Sequence, residues 1–558
     1  MKKLIGLIVL IVLASCKNNK QPQEKEVVLW EPYNDSLEVA SNADHEIRRM
    51  QYKLIQSRVL DKNEIFLPLY EEVSKMTETD YEALKPLIFD KTIFDLRQAI
   101  EKNKLTYEQL TLFYLYRIYT YELDNATTLN TIIALNGDVV NQARQLDKLK
   151  AEGNAPSFHH PIYGMPILLK DNINTKGMKT TAGSIALKDN EVEDAFIVQK
   201  LKENGALILG KVNLSEWAYF LCSGCPVGYS AYGGQTLNPY GRRVFETGGS
   251  SSGSGTAMAA EYAVAAVGTE TSGSILSPSS QNSVVGLKPT IGLLSRSGIV
   301  PISSTLDTPG PMTKNVTDNA ILLSAMAGHD STDMASITEQ FPGIISAGLH
   351  PEPFKNMRLG AFKNLMESDS IYRSTIEKLR ESGATIIEFT PPEVKMDGFL
   401  SILNIDMKND LPVYLKTHTS PENVKIQSIA DAVAFNAADS LTRIPYGQAL
   451  FEGILTDSTT TEGLEEIKAT LENNGRTFFD TAMDEHGLNA ILSINNYHAG
   501  YAAVAKYPAL TVPMGYKTTG EPISLTFIGK QFTEADLLRM GRAYEKALQN
   551  RRRPKGYE

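Results

Sequence analysis

The stretch that decides the fold runs from Glu246 to Ser280, "ETGGSSSGSGTAMAAEYAVAAVGTETSGSILSPSS". Two Gly/Ser clusters, Gly248–Gly255 and Gly268–Ser274, flank an Ala-rich middle that reads as a buried helix. Nine of the residues are serines. Hydroxyls at that density beside a buried element need hydrogen-bond partners, which makes them candidates for proton relay or attack rather than packing. Two familiar readings fail. Gly248 to Gly253 has the G-x-x-x-x-G spacing of a phosphate loop, but Ser254 follows where the phosphate-binding Lys belongs. Gly249 to Gly253 matches G-x-S-x-G with Ser251 at its centre, yet a nucleophile elbow is fed by an apolar strand, and "NPYGRRVFETG" upstream is polar. A Ser-His-Asp hydrolase using Ser251 with His486 or His498 is therefore the weaker alternative.

The better base is Lys170, at the end of the apolar run in "GMPILLKDNI". A lysine acts as a base only when uncharged, and deprotonating it at pH 7 costs about 4–5 kcal/mol from its ordinary pKa. Burial supplies that by penalising the charge, and neighbouring hydroxyls then pass the proton.

At these residues the chain resembles the amidase signature family. The resemblance rests on Gly248-Gly249-Ser250-Ser251-Ser252-Gly253-Ser254-Gly255, on Gly268-Thr269-Glu270-Thr271-Ser272-Gly273-Ser274-Ile275, and on Lys170 in its K-D-N setting. It extends over roughly Thr92 to Arg551 and includes "NLSEWA", "GGQTLNPY", "VVGLKPTIGLLSRSGIVPIS" and "PALTVPMGY". It implies a Ser–cis-Ser–Lys triad, with Ser274 as nucleophile, Ser250 as bridging serine after a cis peptide, and Lys170 as base. Backbone N–H groups of Thr271, Ser272, Gly273 and Ser274 are the implied oxyanion donors, and Ser251 is the implied support of the relay. Trp217 and Tyr232 are the aromatic candidates for pocket walls. The implied reaction is amide hydrolysis without metal or organic cofactor, and the wording of "GTETSGSI" and "GGQTLNPY" is most similar to bacterial peptide amidases, which take peptide C-terminal amides. Two departures stand out: Glu270 replaces the Asp of many members, and Leu276 replaces the Arg that glutamine-using amidotransferase subunits carry. Without that cation a clamp on the carboxylate of free glutamine is missing. An amidotransferase subunit and a non-catalytic, membrane-tethered binding protein are the remaining alternatives.

The opening "MKKLIGLIVLIVLASCK" has two lysines before a short apolar core, the pattern of a signal peptide. Leu13-Ala14-Ser15-Cys16 resembles a lipobox, with Cys16 as the lipidated residue of an exported protein anchored in the cell envelope on the periplasmic side. "KNNKQPQEKE" reads as a tether. Cys222 and Cys225 stand alone as C-x-x-C, without the further ligands a zinc site needs; a local disulfide and two plain thiols both suit them. With 55 basic and 65 acidic residues the net charge is −10, which gives no footprint for a nucleic-acid partner. Arg551-Arg552-Arg553 reads as a solvated basic run. The sequence does not fix an oligomeric state.

The length suits one large α/β domain with decorations. Apolar residues at helical spacing over Ser41–Met76 and Thr92–Leu123 predict helices, the second pattern breaking and restarting near Thr106 and Glu108. Beyond Asn130 short apolar runs alternate with helical patterns: "IIALN", "MPILLKDNI", "ALILGKVN", "VGLKPT", "MRLGAF", "ATIIEF", "AILSI", "ALTVPMG" and "ISLTFIG". The alternation predicts an α/β fold with a sheet sandwiched between α-helices; with the resemblance, the expected fold is a single large amidase-signature domain, a mixed β-sheet between α-helices, with an N-terminal helical extension. The expected limits are signal peptide 1–15, tether 16–36, helical extension 37–91, main domain 92–551 with 335–480 as a cap or insertion, and tail 552–558.

Overall fold

The computed structural model describes residues 27–156, 159–338 and 343–558; the proposed signal peptide, Cys16 and most of the tether lie outside them. The described residues form thirteen strands: β1 Ile132–Leu135, β2 Pro166–Lys170, β3 Leu207–Val212, β4 Tyr229–Ser230, β5 Gly234–Gln235, β6 Ala265–Glu270, β7 Val285–Lys288, β8 Thr308–Thr313, β9 Arg358–Phe362, β10 Thr385–Phe389, β11 Ala490–Ile494, β12 Ala509–Tyr516 and β13 Pro522–Ile528. Eleven form one mixed sheet in the order β1-β3-β2-β6-β8-β7-β12-β13-β11-β9-β10, and β4 with β5 makes a separate hairpin. The nine apolar runs all become strands of the large sheet. Of these, β2, β3, β11 and β13 are buried throughout, the burial of strands covered on both faces, whereas the edge strands β1 and β10 are partly exposed.

Helix starts follow their capping chemistry. Thr92 with Asp95, and Thr106 with Gln109, close reciprocal capping boxes at the heads of Ile93–Glu101 and Tyr107–Glu122. The break near Thr106 is thus a true helix boundary.

Two expectations differ from the structure, and one further strand of the large sheet was not expected. The Ala-rich middle of the Glu246–Ser280 stretch is not one helix: Ser252–Ala259 is helical, Glu261 turns the chain at φ 57°, and Ala265–Glu270 is β6. Pairing decides this, because β6 lies between β2 (parallel) and β8 (antiparallel), and both of its edges are filled. Strand β8, "TPGPMT", carries two prolines inside the sheet, which masks it as a strand. Its ladder to β7 spans only Val285↔Thr313 and Gly286↔Met312, and the Asn319 amide bridges the remaining gap by donating to the carbonyls of Val285 and Pro311. Finally, the helical spacing over Ser41–Met76 yields a long helix only at Lys62–Val73. Upstream, tertiary partners claim the backbone that a helix would use. Ile55 and Gln56 donate to Asp35, and the Ile55 carbonyl accepts from Asn130 and from the Gln235 N–H, while Met50, Tyr52 and Ile55 are buried.

The 335–480 segment is only partly a decoration. Strands β9 and β10 extend the main sheet, whereas Phe399–His418, Ala449–Thr456 and Thr461–His486 are helices. Side chains of these helices build a second apolar cluster with Trp217, including Leu411, Tyr414, Phe451 and Leu471. The basic run near the C-terminus is only partly solvated: Arg552 is exposed, but its neighbours are not free. Arg551 and Arg553 pair with Asp90, and Tyr557 is buried with its hydroxyl donating to the Thr127 carbonyl.

Candidate active site

Strand β2 delivers Lys170 to the site. Its register places Leu169 beside Val267 of β6, so the strand ends that carry Lys170 and Thr269 lie side by side in the sheet. Lys170 is fully buried, with Nζ 2.7 Å from Ser250 Oγ, 2.7 Å from Thr269 Oγ1 and 3.1 Å from the Thr269 carbonyl. Burial pulls its pKa down to about 7, against the pull of the Asp307 and Glu270 carboxylates in the other direction. A neutral amine keeps one lone pair, so a hydroxyl at 2.7 Å can hand it a proton.

Ser250 follows a cis peptide bond from Gly249, as the resemblance implies. The two glycines before it are sterically required. Gly248 has φ +63°, and a Cβ there would lie 2.7 Å from the Ser277–Pro278 backbone; a Cβ on Gly249 would lie 2.6 Å from Val227 and 2.7 Å from Ser215 Oγ. Ser251 is fully buried and makes no hydrogen bond to Lys170 among the described contacts. Its hydroxyl donates to the Thr269 carbonyl at 2.9 Å and accepts the Thr269 N–H at 3.1 Å, while its own N–H bonds the Ser274 carbonyl at 3.2 Å. Ser251 therefore staples together the segments that carry Lys170's partner and Ser274.

The turn bearing Ser274 is organised by Glu270. Its buried carboxylate accepts the N–H groups of Gly273 (2.7 Å), Ile275 (2.7 Å) and Leu276 (2.9 Å). Burial pushes this carboxyl up, and the three N–H groups and Lys288 hold it down. This corrects one expected donor: the Gly273 N–H is committed to Glu270. The N–H groups of Thr271, Ser272 and Ser274 have no such acceptor among the described residues. Ser274 itself is 9% exposed. The structure brings Lys170 and Ser250 into hydrogen-bond contact; an Oγ–Oγ bond between Ser250 and Ser274 is not among the contacts of the described residues. Thr271 Oγ1 donates to Asp307 at 2.5 Å, and Asp307 also accepts the N–H groups of Ile302 and Ser303.

A cleft of about 350 Å³ opens beside this cluster, bordered at its inner end by Asn172, Thr269, Thr271 and Asp307. Trp217 and Tyr232 do not line it, which corrects both as pocket walls. Trp217 is 1% exposed and packs on Phe451 in the second apolar cluster, and the Tyr232 carbonyl accepts from Ser57. The wall contributed from that stretch is the neighbouring Ala218.

The Ser251 triad is also overturned. The Ser251 hydroxyl is spent on Thr269, His498 bonds Ser493 at 2.6 Å and stacks on Phe362, and His486 ends the helix Thr461–His486, where its carbonyl accepts from Arg358. Cys222 and Cys225 are joined as a disulfide, with Cα atoms 5.9 Å apart.

Sequence reasoning missed Thr269, whose hydroxyl and carbonyl both face Lys170, and Asn172, whose amide donates to Thr269 Oγ1 at 3.0 Å. Asn172 lies in the K-D-N run, and that adjacency was the available signal. Thr269 offered none, because its role comes from the pairing of β2 with β6.

A buried lysine held against a serine that follows a cis peptide, with a second serine on a glycine turn, is the arrangement of a Ser/Lys amide hydrolase. The chain belongs to the amidase family, whose family model matches residues 109–444, and it is an amide-hydrolysing enzyme. A probable amidase of Arabidopsis thaliana is 37% identical over 84% of this chain and 92% of its own length. Among solved structures, an amidase family protein from Bacillus anthracis superposes with a TM-score of 0.83 at 36% identity, covering 90% of this chain and 99% of that one. The native peptide amidase from Stenotrophomonas maltophilia superposes with a TM-score of 0.77 at 35% identity, covering 84% and 98%.

Proposed function

We propose that this enzyme hydrolyses the C-terminal carboxamide of peptides to the acid and ammonia through an acyl-enzyme on Ser274. The observation that carries the reading is the fully buried Lys170 amine 2.7 Å from Ser250 Oγ. Uncharged Lys170 takes the Ser250 proton while Ser250 takes that of Ser274, whose Oγ attacks the amide carbonyl. Active-site hydrogen bonds often tighten only when substrate is bound, so the Ser250–Ser274 link is assigned to that complex. The oxyanion lies against the free N–H groups of Thr271, Ser272 and Ser274; removing one such donor costs about 2.7–4 kcal/mol in the transition state. The protonated relay then gives its proton to the departing nitrogen, the C–N bond breaks, and water repeats the cycle on the ester. Ser251 and Glu270 position the two segments and touch no reacting atom.

Similarity to the Stenotrophomonas enzyme supports peptide amides as the substrate class. The test is a hydrolysis panel of peptide amides, aryl amides, fatty amides and free glutamine, with ammonia or amine release as readout and Ser274→Ala as the blank. Peptide amides are expected to give the highest kcat/KM. Preference for another class overturns the substrate assignment, and turnover of free glutamine alone favours an amidotransferase role.

We also propose that the enzyme is exported and held on a membrane by acyl chains at Cys16. The support is the apolar run and the Leu-Ala-Ser-Cys sequence; among the described residues no helix is long and apolar enough to cross a membrane. In a bacterial host the wild-type chain is expected to incorporate labelled palmitate and sediment with membranes, and Cys16→Ala to lose both. Labelling that survives in Cys16→Ala contradicts the anchor.

A further inference from the structure

The cleft beside Lys170 and Ser250 is walled on one side by a single helix face. Asp410, Val413, Tyr414, Thr417 and His418 recur at helical spacing along Phe399–His418 and all border it. That helix is fixed to the segment leaving β2. Tyr414 Oη donates to Asn174 Oδ1 at 2.7 Å and accepts from the Asn190 amide at 3.3 Å. The wall therefore holds a set position relative to the cleft's inner end at Asn172 and Thr269.

The charges on this lining do not balance. One fixed cation, Arg296, stands with three carboxylates, Asp307, Asp333 and Asp410. Arg296 is spent: Nε donates to Asp333 Oδ2 at 2.9 Å, Nη2 pairs with Asp333 Oδ1, and Nη1 donates to the Ser304 carbonyl. Asp307 is satisfied by the Thr271 hydroxyl and two backbone N–H groups. Asp410 differs. Its hydrogen-bond partner among the described residues is Ser304, through the N–H at 2.7 Å and the side-chain hydroxyl; it forms no ion pair there, and burial, with the nearby Asp406 and Asp307 carboxylates, pushes its carboxyl up to about 6, still mostly ionised at neutral pH. His418, two turns further along the same face, does not supply the missing charge at neutral pH, because burial pulls its imidazole below the usual value. At the same mouth Met334 and Val413 are exposed apolar side chains, 97% and 61% accessible, suited to the methylene stem of a long basic side chain.

We propose that Asp410 is a specificity-determining residue, selecting amides that carry an ammonium or guanidinium group and rejecting amides that carry a carboxylate. A cationic substrate gives Asp410 the counter-ion that the protein withholds, while an anionic one meets three carboxylates and one already-paired arginine. The inference rests on the reading of Lys170, Ser250 and Ser274 as the reacting groups.

The test uses the full chain and tripeptide amides in which lysine, norleucine or glutamate occupies each position in turn. In the wild type, lysine is expected to exceed norleucine in kcat/KM by about tenfold at one position or more, with glutamate lowest there, and raising the salt to 1 M should compress that spread. In Asp410→Asn the lysine-to-norleucine ratio at that position should fall to near one, and in Asp410→Lys the order should invert. Each ratio compares two substrates on one preparation, so it does not depend on the folded fraction. If neither variant folds, a wild type without the lysine preference still overturns the proposal. A wild type with no position at which lysine exceeds norleucine, or an Asp410→Asn enzyme that keeps the full preference, overturns the proposal. If none of the tripeptide amides is hydrolysed, or all are hydrolysed equally by Ser274→Ala, it is the assignment of the reacting groups that fails.

Discussion

Ser274→Ala is expected to lower kcat/KM for amide hydrolysis by at least about four orders of magnitude, since loss of a serine nucleophile removes the covalent route and leaves only binding and oxyanion stabilisation. The side chain is small and sits on a turn whose geometry is set by Glu270 through three backbone N–H groups, none of them from residue 274. The fold should therefore survive, with a melting temperature within a few degrees of the wild type. A fluorophosphonate probe should label the wild type at Ser274 and leave the variant unmodified. Wild-type turnover in the purified variant contradicts the nucleophile assignment. A wild type that neither labels nor hydrolyses any amide would point to a binding protein built on the same fold.

The second large effect falls on Lys170. Lys170→Met removes the base and is expected to cost about three to four orders of magnitude in kcat/KM at neutral pH, since the relay then has no acceptor for its proton. The same substitution carries a stability signature. Lys170 is fully buried, with a folded pKa near 7 against an unfolded value near 10.4. Between those two values the unfolded chain binds a proton that the folded chain does not, so stability rises with pH across that window. Below pH 7 the folded state carries a buried charge at a cost of about 4–5 kcal/mol relative to solvent; above about pH 10.4 both states are neutral and the cost is gone. Wild-type stability should thus gain on that of Lys170→Met as pH rises from 7 to 10. Chemical denaturation of both proteins over that range checks this, and a pH-independent difference contradicts it.

The sequence made the site's ends legible and left its middle dark. Lys170 and Ser250 are eighty residues apart, and the resemblance implies their meeting; the pairing of β2 with β6 sets Lys170 beside Thr269, and the bonds of Ser251 to Thr269 bring Ser250 to the amine. The glycines at 248 and 249 were visible as unusual, and the clashes that a Cβ would meet there show why. Thr269 was invisible because a threonine at a strand end carries no mark of the amine it will face. Strand β8 was hidden by Pro309 and Pro311, whose cost in a sheet interior is met by a short β7 ladder and the Asn319 amide. Trp217 was misplaced by the general rule that large aromatics wall pockets; the positive φ of Trp217, Ala218 and Tyr219 accompanies a chain path that buries the indole and gives the cleft Ala218 instead. The cleft wall from Asp410 to His418 falls in the segment expected to be a cap, yet nothing in its sequence tells which face of that helix meets the site.

The central claim is that Lys170 is uncharged near neutral pH while in contact with Ser250. The most direct measurement is a pH titration of the Lys170 13Cε resonance in lysine-labelled enzyme, assigned by its absence from Lys170→Met. A midpoint near 7 is the predicted result, and a side chain that stays protonated through pH 9 would contradict the account.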